Sequence, residues 1–461
     1  MNGKRVLQLF MMGLLLCGVF SLAVTAQSKK DKEKAKAAQD LGDKAFSQKN
    51  YKAAIDSYSQ AILILPTNGP AHYWKAASHY YLKEYDPAKY EFQLALSQGY
   101  KPIDIYRIRW YLFYDLKDYD AALGDLTKAI AIEPRNVDFL SGLGEMYSAK
   151  KQFKDALDSY QKALAISPKS GDIYYNIARV QAVMGNVKAQ AEAANQAITN
   201  GTRMTGEAYY LVADAARRQK DLNAAIPAYQ RAISAKPDNY DAYRSLADIF
   251  RSQSRFQEAI DVLKKALLQF STDGSIYNDL ARYDSLVDRP QDGVKDALAG
   301  IKFQPNQYTG YMSLCRAYNE VKQFDDAIKA CNNALRLKPG DGETNFYLGR
   351  AYNSSGKTTE ANRYYSAAVA GLVEYTDKNP DYSDSWYLLG NAYYADHQRD
   401  KAIDAYGKCI SINPKFTKAR YNLGILYIGK KNRSAATDQY NSLLPLDAVL
   451  AARLKAEIDK M

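Results

Sequence analysis

The chain has 461 residues, of which 62 are Lys or Arg and 51 are Asp or Glu, a formal net charge of +11. Three histidines and four cysteines, with no metal-ligand spacing, leave little from which to build a metal- or histidine-based reaction centre. The basic balance favours anionic partners, and the 39 tyrosines are to be accounted for by packing before function.

Residues 1–26 read as a signal peptide. Lys4 and Arg5 precede an apolar run from Val6 to Val24, and Val24-Thr25-Ala26 offers the small residues a signal peptidase needs. Gln27 is then the first mature residue, and the expected location is the periplasm or cell surface. The alternative is an uncleaved anchor, since the run nearly reaches the roughly 20 residues that span a bilayer. A lipoprotein signal at Cys17 is disfavoured by Leu16 before it. Residues 27–36, with Lys29, Lys30, Lys32, Lys34 and Lys36, read as a solvated basic linker.

Beyond it, Pro66, Pro134, Pro168, Pro237, Pro305 and Pro339 are separated by 68, 34, 69, 68 and 34 residues, and Pro414 follows 75 later. A period sustained over most of a chain means stacked copies of one small unit. With each proline at position 32, twelve repeats begin near residues 35, 69, 103, 137, 171, 206, 240, 274, 308, 342, 383 and 417. Position 8 is small, as at Gly42, Gly144 and Gly390. Positions 20 and 27 are alanine, as at Ala54, Ala61, Ala156 and Ala163. Position 24 is large, as at Tyr58, Phe92, Tyr160 and Tyr406.

These spacings predict two antiparallel helices per repeat. In repeat 4, Leu143, Gly144 and Tyr147 follow Leu140 by three, four and seven residues and share one helical face. Ala156, Tyr160 and Ala163 do the same on the second helix. Small residues at the crossing let the backbones approach while the aromatic fills the space between them. The proline lacks an N–H donor and clashes with the preceding turn, so it ends the second helix. Asn or Asp after it, as in Pro237-Asp238-Asn239, turns the chain into the next repeat.

Taken together these positions resemble the tetratricopeptide repeat (TPR), over nearly all of the chain beyond residue 26. The resemblance implies an all-α fold: a right-handed superhelical solenoid of about twelve helix-turn-helix units, here spanning 37–446, with no second domain. Leu450, Leu454 and Ile458 recur every four residues behind Asp447, so 447–461 reads as a C-terminal capping helix. Two repeats depart from the pattern. Repeat 5 has Gln190, Ala194 and Thr202 at positions 20, 24 and 32, and repeat 8 has Gly293 and Gly300 in place of alanines. Both are expected to be looser, with a hinge there. Seven extra residues before Ser383, Asp377-Lys378-Asn379-Pro380 among them, are expected as an exposed loop after a lengthened helix.

Chemistry leaves few traces. Cys315 and Cys331 hold positions 8 and 24 of repeat 9, and Cys409 holds position 27 of repeat 11. Small buried thiols are the default there, although touching helices also allow a Cys315–Cys331 bridge in an oxidising compartment. His72 and His79 share a helical face, but they occupy positions 4 and 11, which Leu140 and Tyr147 hold in repeat 4, so packing is the stronger reading. His397 falls in a turn. No phosphate-cradling glycine loop, Gly-x-Ser-x-Gly elbow or His-Glu-x-x-His pair occurs. Ser159-Tyr160-Gln161-Lys162 has a serine–lysine spacing, but its tyrosine is a core repeat residue. The expectation is no catalysis, no metal and no cofactor.

In the TPR family the first helices line a concave groove, and the resemblance implies that positions 2, 5, 9, 12 and 13 face it. Position 9 reads Arg179, Asp214, Asp248, Arg282, Arg316, Arg350 and Asn391 along the array. Arg217, Arg244 and Arg251 add charge, and position 5 supplies Tyr210, Phe346 and Tyr387. Guanidinium groups hold carboxylates in bidentate fashion, and tyrosines give rigid contact area with a polar tip. Such a row suits an extended acidic peptide or an anionic glycan. The plainer alternative neutralises the arginines with Asp214, Asp248, Glu320 and Glu343. A grip on a C-terminal carboxylate is incomplete, because Asn391 and Asn422 are in place but Tyr387 stands where a lysine is needed. The function expected is a non-catalytic protein–protein interaction scaffold of the bacterial cell envelope. Binding of anionic glycan or peptidoglycan is the first alternative, and an enzyme with an unfamiliar site the second. Nucleic acid is not expected for an exported chain without a binding module. Membrane contact is expected only through an uncleaved N-terminal segment.

Overall fold

The computed structural model describes residues 29–253 and 255–461. The signal peptide and the start at Gln27 lie outside the described residues. Among the described residues there are twenty-five helices and no strand: two per repeat, termed A and B, and one more at the C-terminus. The first pair is Lys29–Ser47 and Tyr51–Ile64, and the last is Thr417–Gly429 and Arg433–Leu443.

The repeat positions do what their sizes dictate. Ala54, Ala61, Ala156 and Ala163 are fully buried at the helix crossings. A Cβ added to Gly42, Gly144 or Gly390 would fall 2.5 Å from a ring carbon of Tyr58, Tyr160 or Tyr406. The aromatic at position 24 therefore lies flat on the glycine at position 8. Gly144→Ala is expected to cost about 1–3 kcal/mol by forcing that ring aside. An unchanged urea midpoint would contradict the assigned register. Asn68, Asn136 and Asn239, two residues beyond position 32, accept hydrogen bonds from the N–H groups of Ala71, Phe139 and Ala242. They cap the next A helix, satisfying donors that a helix start leaves free.

Several expectations need correction. The segment read as a basic linker is helical from Lys29, and Ala35 within it is buried. Lysine, glutamate and alanine are good helix formers, so the first A helix extends back through them. The array also divides into two compact units, one ending at Lys220 and one beginning at Asp221. That division falls inside repeat 6, not in repeat 5 or repeat 8. Repeat 5 is filled: Gln190, fully buried, donates to the Leu211 carbonyl at 2.8 Å. Thr202, in place of proline, donates to Asp172 at 2.9 Å. Repeat 8 is filled as well, because the space a Cβ on Gly300 would take is occupied by the Asn278 amide. The extra residues before Ser383 go mainly into the B helix Thr358–Lys378, leaving a short turn at 379–382.

At the C-terminus the helix Ala448–Ile458 buries Leu454 and Ile458, and Asp447 accepts from the Leu450 N–H at 2.9 Å. Leu454 packs where a Cβ on Gly424 would fall, so it does for repeat 12 what the position 24 aromatic does elsewhere.

Candidate ligand groove

In the second unit, helices of repeats 7 to 12 and the C-terminal helix line a cavity of about 1720 Å³. The wall curves strongly. Arg251, on helix A of repeat 7, places its guanidinium 5.5 Å from the ring of Tyr382, just ahead of repeat 11. Of the residues read from sequence, Arg282, Arg316, Phe346, Arg350, Tyr387 and Asn391 line this cavity. Arg244 and Arg251 belong to the same unit but not to the lining, while Arg179, Tyr210 and Arg217 belong to the first unit.

The arginines differ in how far the protein already satisfies them. Arg350 donates to Glu320 at 3.0 Å. Arg244 pairs with Asp279. Arg251 is tied to Asp248 at 3.3 Å. In the first unit Asp214 is held by Arg217 at 2.6 Å, not by Arg179, whose guanidinium lies 5.8 Å from the Tyr175 ring. Arg316 is incompletely satisfied. Its contact with Glu343 is 3.6 Å, its Nε is buried without a hydrogen-bond partner, and its guanidinium lies over the Tyr347 ring at 5.6 Å. For Arg282, burial works against the charge, but Glu343 and Asp384 outweigh it and hold the guanidinium firmly protonated. Glu343 thus serves two arginines that both face the cavity.

Beside them Tyr387 sits against an amide cluster. Asn391 Oδ1 accepts from the Tyr406 hydroxyl at 2.6 Å and from Asn422 Nδ2 at 3.1 Å. Burial is the main cause that raises the Tyr387 phenol, so it stays a neutral donor in the wall. Glu343 and Asp384 stand at repeat position 2, a groove-facing position, and reading position 2 as closely as position 9 would have found both.

Elsewhere, the two histidines of repeat 2 are each held by a carboxylate. His72 is buried, with Nδ1 2.6 Å from Glu91 Oε2 and Nε2 3.1 Å from the Pro66 carbonyl oxygen. His79 faces Glu84 at 2.6 Å. Burial alone would raise the Glu91 carboxyl, but hydrogen bonds from His72 and Lys75 outweigh it and hold it below the usual range. No group of three metal-ligating side chains occurs among the described residues. Cys315 and Cys331 form a disulfide joining helices A and B of repeat 9, while Cys409 is a free buried thiol whose ionisation burial suppresses.

Sequence comparison agrees with this geometry. A model described as tetratricopeptide repeat matches residues 210–275 and 316–380, and a second of the same description matches 383–416. A TPR repeat model matches 144–185. The chain belongs to the tetratricopeptide repeat family. A 70-residue stretch is 43% identical to the small glutamine-rich tetratricopeptide repeat-containing protein 2 of Saccharomyces cerevisiae, covering 14% of this TPR chain. The chain spans only about a fifth (20%) of that relative's length. Among solved structures, MamA is 25% identical over 38% of this chain and 94% of its own, with a TM-score of 0.34. A tetratricopeptide repeat protein from Parabacteroides merdae ATCC 43184 is 13% identical over 56% of this chain and 98% of its own, with a TM-score of 0.45. TPR arrays are protein–protein interaction scaffolds, typically without catalysis.

Proposed function

We propose that this protein is a non-catalytic scaffold of the bacterial cell envelope whose second unit holds an extended acidic segment of a partner protein. The observation that carries this reading is the incomplete satisfaction of Arg316, whose Nε is buried without a partner beside a cavity it shares with Arg282. A buried guanidinium left short of acceptors is costly, and an incoming carboxylate would supply them with two parallel bonds. Tyr387 and Phe346 give the segment rigid walls, and the cavity is long enough to span several repeats.

The test is titration with a synthetic glutamate-rich peptide at low salt. Arg282→Glu with Arg316→Glu is expected to weaken binding by about tenfold or more, since losing one charge-assisted contact costs about 1.5–3 kcal/mol. Melting of the variant, measured alongside, separates lost binding from lost folding. Arg350→Gln, whose partner Glu320 is half-buried, gives a milder second variant expected to weaken binding in the same direction. Equal affinity in the double variant, or retention on purified peptidoglycan without any peptide binding, contradicts the reading; the second result favours the glycan.

Export is supported by the apolar segment behind Lys4 and Arg5 and by the Cys315–Cys331 disulfide, a bond that persists in oxidising compartments. N-terminal sequencing of the exported protein should begin at Gln27. A start at Met1 would favour an anchor.

A further inference from the structure

Among the described residues, the turn between helices A and B holds position 15 of the repeat in the left-handed conformation. In repeats 1 to 4 that residue is Lys49, Lys83, Lys117 and Lys151, with φ of 58°, 62°, 59° and 60°. Lys220, Lys322 and Lys431 repeat the choice further on, whereas Gly185 and Gly356 occupy the same place with the residue that suits it. A side chain with a Cβ is strained in this region, and glycine is not. Lysine therefore stands where the backbone disfavours it, in four consecutive turns.

Nothing inside the fold repays that strain. All four lysines are exposed, and none forms an ion pair among the described residues. The acids at these turns are mostly engaged. Glu84 meets His79 at 2.6 Å, Asp118 accepts from the Ala121 N–H at 3.2 Å, and Asp120 pairs with Lys150. Asp115 takes hydrogen bonds from Tyr80 and Tyr85. Asp86 and Asp155 are left against four unpaired ammonium groups. Large side chains come to the surface between the lysines: Tyr81 is 50% exposed, Tyr114 44% and Leu116 41%. Tyr81 is propped by stacking on Tyr51, ring centroids 5.0 Å apart. The A helices of repeats 1, 2 and 3 lie side by side, so their C-terminal turns follow one another along a single edge.

We propose that this edge of the first unit docks on an anionic lipid bilayer, the turn lysines against headgroup phosphates and Tyr81, Tyr114 and Leu116 in the interface. The side-chain choice favours a lipid surface over an acidic protein. Where the chain faces a shaped cavity it sets arginines, whose planar fork matches individual carboxylates, among lysines such as Lys338, Lys378, Lys415 and Lys418. Along this edge it uses lysine, a flexible, strongly hydrated point charge suited to a diffuse anionic layer. Tyrosine is also the side chain that settles at a membrane–water boundary, with its ring in the apolar zone and its hydroxyl in water.

The test is vesicle co-sedimentation of the full chain, reading the ratio of partitioning between phosphatidylglycerol-containing and pure phosphatidylcholine vesicles. Any contribution from the N-terminal apolar segment is common to all variants and cancels in the comparison. The combined variant Lys49→Gly, Lys83→Gly, Lys117→Gly and Lys151→Gly is expected to lower that ratio by roughly several hundredfold at low salt, each lysine near an anionic surface counting for roughly fivefold. Because glycine relieves the left-handed turns, the variant should melt no lower than the parent, which separates lost binding from lost folding. Tyr81→Ser with Tyr114→Ser and Leu116→Ser should weaken vesicle binding while leaving its salt dependence in place. A parent ratio near one, or a ratio unmoved by the glycine set, would overturn the proposal. So would equally tight, lysine-dependent binding to soluble polyglutamate that the serine set leaves unchanged, which would make the edge a surface for acidic proteins.

Discussion

Asp125→Ser is expected to destabilise the first unit by about 3–5 kcal/mol, the cost of leaving a buried charge without its partner. Asp125 is 3% exposed and Arg109 7%, and the two form a bidentate pair, Nε to Oδ2 at 2.7 Å and Nη2 to Oδ1 at 2.8 Å. The guanidinium is wedged among the rings of Tyr106 and Phe113, at 5.8 and 5.6 Å. The chain supplies its own control. Arg109 and Asp125 hold positions 7 and 23 of repeat 3, which in repeat 4 are Leu143 and Ser159. Repeat 2 carries the same ionic exchange as Lys75 and Glu91, 2.8 Å apart. Arg109→Leu together with Asp125→Ser copies repeat 4 and should recover most of the lost stability, since an apolar replacement of a buried pair is often neutral. Urea unfolding of the three proteins decides it. A double variant as unstable as the single one would show that the cost lies in packing.

Asp296→Asn is expected to raise stability by about 1–3 kcal/mol at pH 7.5 and to change it little at pH 4, a tenfold difference in proton affinity being worth about 1.4 kcal/mol. Asp284 is fully buried on helix A of repeat 8 and touches Asp296 on helix B. Neither Asp284 oxygen has a hydrogen-bond donor in good geometry, although Arg289 Nη2 lies 3.0 Å away. Two acceptors brought together call for a shared proton. Burial first, then the Asp284 charge, raises the Asp296 carboxyl to about 6, and burial raises Asp284 despite Arg289 and Lys264. The folded state therefore binds a proton that the unfolded chain has released above its ordinary carboxylate range near 4. Stability from this pair is full below that range and is lost as pH rises through about 6, where the folded protein gives up the proton. The asparagine keeps the shape and removes the repulsion. Parallel stability–pH curves for parent and variant between pH 4 and 7.5 would contradict the shared proton.

The repeat was legible because its determinants are local and recur. Proline at position 32, alanine at 20 and 27 and an aromatic at 24 each impose a steric demand that any neighbouring copy meets in the same way, and Ala156, Tyr160 and Ala163 are all buried. What the sequence pattern left hidden are the compensations. Thr202 reads as a missing helix stop until Asp172 is seen to bind it, and Gly300 reads as a weak crossing until Asn278 fills it. The arginine row was legible as a row, but its division was not. A single helical register cannot say that Asp248 pairs with Arg251 within its own helix, or that Arg282 and Arg316 share Glu343. The strained turn lysines were equally silent, since φ is invisible in a sequence that offers lysine at an exposed place.

Site-specific photo-crosslinking tests the central claim, that the inner face of the second unit captures an anionic segment. A benzophenone side chain at Phe346, inside the cavity, is compared with one at Leu298, on the B helix of repeat 8 and 48% exposed. With the glutamate-rich peptide bound, the probe at 346 should give an adduct that salt and Arg316→Glu both suppress, and the probe at 298 should give none. Adducts at 298 in preference to 346 would place the segment on the outer face and contradict the groove.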